Sequence, residues 1–221
     1  MAIRRKSGID RYDACQSYLV NRIRGLTIPP VAVGVKLNAD NQVYGAVIDM
    51  PMGRDLLTTG VFLMNGSANL YFNTGGGVLG MGRHQPVSTA VRAFLVNAGQ
   101  CLPSCEHVRE FDLPTLTTHY IYLLTRRGVY KMSLNPNTIL TEPDDNKKLI
   151  FSMYQRVLNE VRNAQLKERA DAQKRGGSNR IVLNSNHNAP NDIKLTNVTV
   201  TKGNAKPLNI SGLDNNSTTE E

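Results

Sequence analysis

Apolar positions recur along the chain in two alternating periods. Tyr12, Cys15, Leu19 and Ile23 follow at helical spacing after Ser7-Gly8-Ile9-Asp10, a stretch with the form of a capping box. Gly25 and then Pro29-Pro30 mark the end of that helix. Four β-like runs come next: Val31–Leu37, Val43–Met50, Leu56–Met64 and Ala68–Phe72. The first two are joined across Asn38–Asn41, and Asn65-Gly66 after the third is a strong hairpin signal. Such a run of strands with short turns predicts an antiparallel meander.

The helical period then returns. Val87, Ala90, Val91, Phe94, Leu95 and Ala98 line one face, with Pro86 at the start and Gly99 at the end. A Pro-containing stretch, Cys101 to Thr118, leads to a hairpin of His119–Thr125 and Val129–Leu134 turned at Arg126-Arg127-Gly128. Asp144 or Asp145 can cap the last helix, whose stripe is Leu149, Ile150, Met153, Tyr154, Val157, Leu158 and Val161. Arg162–Arg175 extends it as a solvated segment.

The expectation is an α+β fold with the order α-β-β-β-β-α-β-β-α. It has an antiparallel sheet of about six strands, a four-strand meander plus a hairpin, and three helices. Helices are expected on one face. The nearly all-apolar strands Val31–Leu37 and His119–Leu124 imply that the central sheet is covered on the second face too, by another helix or another subunit. In element order the chain resembles the roadblock, longin and profilin class of small α/β scaffolds, with extra strands early in the chain. Residues 1–175 form one domain; 176–221, rich in Asn, Ser and Thr, reads as a disordered tail.

Charge narrows the partners. Basic and acidic residues balance within 176–221, so the whole net charge of +8 belongs to 1–175. A basic folded part favours acidic partners, nucleic acid among them. The candidate phosphate contacts are Arg126, Arg127, Lys131, Lys167, Arg169, Lys174, Arg175 and Arg180, although Glu168 and Asp171 interrupt the helical ones. Three cysteines without an apolar leader or membrane-length run point to a cytoplasmic, bacterial-type protein with reduced thiols.

The sharpest chemical signal is Thr74–Pro86. Its glycines between a strand and a helix offer backbone amides, with Arg83 and His84 at the helix entrance. Together Gly76, Gly77, Gly80, Gly82, Arg83 and His84 form a candidate anion site. Gly75-x-Gly77-x-x-Gly80 matches a dinucleotide fingerprint as a string, but its helix starts late and its setting is a meander. No Gly-Lys-Ser/Thr follows it. Cys101-x-x-x-Cys105-x-His107 lacks a second ligand pair, since His84, His119 and Cys15 come singly; no metal and no cofactor is expected. Asp49, Asp55 and Asp144-Asp145 suit turns and caps.

With no catalytic constellation in view, the leading expectation is a non-catalytic protein–protein interaction or regulatory module. It would pair through its sheet or its last helix with itself or a protein partner. A phosphate- or nucleotide-binding protein, possibly an enzyme, using the Gly75–His84 turn is the alternative; nucleic-acid binding through the basic core is a further one.

Overall fold

The computed structural model describes residues 11–115 and 117–174. The capping box at Ser7–Asp10 and the tail over 176–221 lie outside the described residues. In chain order the elements are α1 (Gln16–Thr27), α2 (Pro30–Val33), β1 (Gly45–Pro51), β2 (Leu57–Leu63), β3 (Ala68–Phe72) and β4 (Gly77–Val78). A 3-10 turn (Met81–Arg83) leads into α3 (Gln85–Ala98), and a second (Gly99–Ser104) into β5 (Glu106–Val108). The chain ends its described part with β6 (His119–Thr125), β7 (Gly128–Leu134), a 3-10 turn (Pro136–Thr141) and α4 (Asp145–Lys174).

The strands form one antiparallel 7-stranded sheet in the order β4-β3-β2-β1-β6-β7-β5, so the α+β class holds. β1 is central: Ile48 lies between Gly60 of β2 and Ile121 of β6. Strand alternation sends its side chains to two separate cores. Ala46, Ile48, Met50, Phe62, Ile121 and Leu123 pack against Val91 and Phe94 of α3 and Tyr154 and Val157 of α4. Val47, Val61, Leu63, Tyr122 and Leu124 meet Leu26 of α1, Val33 of α2 and Leu37. Helices therefore cover both faces, and the second cover is the N-terminal helix of the same chain.

Three local expectations need correcting. Val31–Leu37 is not a strand, because Pro30 opens a short helix that Gly34 closes in the left-handed region (φ 71). Gly25 does not stop α1, which runs to Thr27. Instead it lets the helix approach the sheet, and a Cβ there would stand 2.9 Å from a Val61 methyl. The fourth strand of the meander is β4, inside the glycine stretch, while β5 arises in the Pro-containing stretch. The turns at Asn65-Gly66 and Arg126-Arg127 fall where the sequence puts them, and the Asp144 carboxylate accepts from Asn146 N (2.9 Å) at the start of α4.

Candidate functional site

The glycine turn runs from the end of β3 to the start of α3. Gly76 and Gly80 occupy the left-handed region (φ 74 and 68). Gly77 and Gly82 lie so close to the Leu70 and Gly66 carbonyls that a Cβ on either would collide with backbone. One glycine amide expected to face a ligand and the two that follow the glycines already have partners. Gly80 N donates to Asn69 Oδ1 (2.8 Å), Arg83 N to Gly80 O (3.2 Å) and His84 N to Met81 O (3.1 Å).

The Arg83 and His84 side chains of this turn are engaged as well. Arg83 and His84 both reach the Glu168 carboxylate on α4, and Arg83 also donates to Gly80 O at 3.3 Å. Burial pushes the Glu168 carboxyl up, but hydrogen bonds from His84 and Arg83 outweigh it and hold it below the usual range. Of the six residues read from the sequence, Arg83 and His84 meet at a carboxylate of the same chain, while the Gly80 amide goes to Asn69 and Gly77 and Gly82 lie against the Leu70 and Gly66 backbone. An external phosphate would have to displace Glu168. The helical extension is accordingly not solvated all round: Ala164 is buried and Glu168 anchors it.

A second polar cluster lies under the opposite face of the sheet. Arg22 of α1 and Asp49 of β1 form a buried ion pair, with side chains 3% and 0% exposed. Arg22 donates from Nε (3.0 Å) and Nη2 (2.6 Å) to the Asp49 carboxylate. Thr59 Oγ1 donates to Asp49 at 2.6 Å, and the Tyr18 hydroxyl lies 2.7 Å from Thr59. Burial works against charge on Arg22, yet Asp49 beside it raises its pKa overall. Two further guanidinium hydrogens, one on Nη1 and one on Nη2, hold Phe111 O (2.9 Å) and Asp112 O (2.8 Å). Asp49 is therefore a buried structural carboxylate, not a turn residue. The sequence reading missed this pair: it placed the inward face of the first helix on Tyr12, Cys15, Leu19 and Ile23, whereas α1 buries Tyr18, Arg22, Gly25 and Leu26 and leaves Ile23 exposed. The one available signal was a lone Asp inside an apolar strand.

The other candidates have separate attachments. Cys101 Sγ donates to Asn146 O (3.6 Å) and Cys105 Sγ to Cys101 O (3.3 Å). Burial pushes these thiols up to about 11 and about 12, so both stay protonated at neutral pH. His107 packs edge-on against Tyr130. Among the described residues no three His, Cys, Asp or Glu side chains converge as a metal site. Buried His119 meets the Tyr154 hydroxyl at 2.8 Å, and burial lowers its pKa to about 4. Asn73, fully buried, fastens the N-terminal segment: its amide donates to Tyr12 O and Asp55 O and accepts from Leu57 N. No sequence signal singles out Asn73.

No protein-family model, curated protein or solved structure matches the chain. Among the described residues no helix is long and apolar enough to cross a membrane.

Proposed function

We propose that this chain is a non-catalytic interaction module that pairs with a second copy of itself through the outer side of α1. The observation carrying this reading is an apolar pair on that helix, Val20 (40% exposed) and Ile23 (45%), one turn apart. The inner face of α1 is already filled by Tyr18, Arg22, Gly25 and Leu26, which leaves these two side chains on its outer side. Pairing through the sheet loses its basis because both faces are covered. Pairing through the apolar stripe of α4 loses it too, since Ile150, Tyr154, Val157 and Val161 are buried.

The reading is also supported by what occupies the reactive side chains. Arg22 and Asp49, Arg83, His84 and Glu168, and His119 and Tyr154 all satisfy one another within the fold. A thermal-shift screen of the full chain against nucleotides, phosphate and sulfate separates this reading from ligand binding. A flat screen is expected. A specific rise in melting temperature that Arg83→Ala abolishes would replace the interaction module with an anion-binding protein.

A further inference from the structure

Between β5 and β6, Phe111–Pro114 crosses the α1 side of the sheet as irregular chain. Its backbone carbonyls are received by side chains from three separate places. Arg22 on α1 donates to Phe111 O and Asp112 O, Tyr122 on β6 donates to Asp112 O (2.7 Å), and Tyr12 before α1 donates to Pro114 O (3.1 Å). Its side chains are received in the same way. The Phe111 ring meets Tyr122 edge-on at 5.8 Å, Lys131 Nζ stands 2.7 Å from the Asp112 carboxylate, and Leu113 packs against Tyr12, Tyr18 and Leu57.

We infer that this groove is a site for an extended peptide of the pattern aromatic–acidic–leucine–proline, and that the chain's own Phe111-Asp112-Leu113-Pro114 occupies it in cis. The inference deepens the interaction-module reading by naming a second surface and its partner chemistry. The buried Arg22–Asp49 pair is the main argument. Burying two charges is costly, and a close-packed apolar pair would fill the space at least as well. Asp49 and Thr59 instead fix the guanidinium in one orientation, with its free hydrogens aimed at two successive carbonyls. A preorganised fork of this kind suits backbone recognition. Lys131 then selects an acidic side chain after the aromatic one, and the Tyr12, Tyr18 and Leu57 pocket selects the leucine. Side-chain pockets combined with main-chain hydrogen bonds are how extended peptides are read.

The cis segment competes with any partner, so weakening it must raise affinity in trans. The test uses the full chain and a fluorescently labelled peptide, Glu-Phe-Asp-Leu-Pro-Thr, the sequence of residues 110–115. Fluorescence anisotropy should show at least about tenfold tighter binding to Phe111→Ala/Asp112→Ala than to wild type. A peptide carrying Asp112→Lys should not bind either protein. Equal or absent binding to a variant that melts like wild type overturns the inference. Should that variant not fold, the wild-type chain supplies the readout. Excess unlabelled peptide should accelerate tryptic cleavage after Arg109 by displacing the cis segment, and unchanged cleavage overturns the inference. Failure here leaves self-pairing through α1 untouched, because the mass of the wild-type chain in solution reports that separately.

Discussion

Asp49→Ala should be among the most damaging single substitutions in the chain. It leaves the Arg22 guanidinium with a 3% exposed side chain and no counter-charge. It also removes the acceptor of the Thr59 hydroxyl and frees the fork that holds Phe111 O and Asp112 O. Breaking one partner of a buried pair costs about 3–5 kcal/mol, a large share of the ~5–15 kcal/mol that holds a domain together. For a chain of this length the melting temperature should fall by on the order of 10 °C. Urea unfolding followed by circular dichroism measures the loss. The control is Arg22→Met/Asp49→Leu, which removes both charges. It should cost less than Asp49→Ala alone, because the Phe111 and Asp112 carbonyls can rehydrate as their segment lifts. A cost below about 1 kcal/mol for Asp49→Ala, or a double variant less stable than the single one, would refute the reasoning.

His119 makes stability depend on acid. Its folded pKa, about 4, lies below its ordinary 6.5, so the unfolded chain takes up the proton first and stability drops as pH falls through that window. The loss by pH 4 is about 3 kcal/mol. Denaturant melts at several pH values should show this slope in wild type and a shallower one in His119→Gln. Cys101 and Cys105, raised to about 11 and about 12, should resist a thiol reagent at pH 8 in the native chain and react once it is unfolded in urea. Fast modification of both in the native state would contradict their placement. Gly82→Ala drives a Cβ into the Gly66 carbonyl and should cost about 1–3 kcal/mol in the same melts, whereas an unchanged midpoint would mean the turn has slack.

Elements whose signals were local were legible in the sequence. The β6–β7 hairpin, α3 and α4 all follow from an apolar period bounded by Gly, Pro or Asp. Val31–Leu37 misled because its composition is β-like while its punctuation is helical: Pro30 and Gly34 decide the backbone, and five apolar residues do not. Gly25 misled because a helix stop and a close helix–sheet approach both call for glycine. Long-range partners were the illegible part. Glycines near Arg83 and His84 suggested an anion, but the carboxylate that answers them lies on α4, 84 residues beyond His84. Asp49 read as a turn residue and Arg22 drew no notice, because the apolar period of the first helix was placed on Tyr12, Cys15, Leu19 and Ile23, whereas the sheet buries Tyr18, Arg22, Gly25 and Leu26. The two-residue β4 is too short to produce a periodic signal of its own.

Self-association tests the account most directly. Light scattering coupled to size exclusion, over a concentration series, should show the wild-type chain heavier than its 24.4 kDa monomer. Ile23→Asp should return it to monomer mass while keeping the wild-type far-UV circular dichroism, and its melting temperature should no longer depend on protein concentration. A wild-type chain that stays monomeric at the highest concentration reached, or an Ile23→Asp chain that still associates, would contradict pairing through α1.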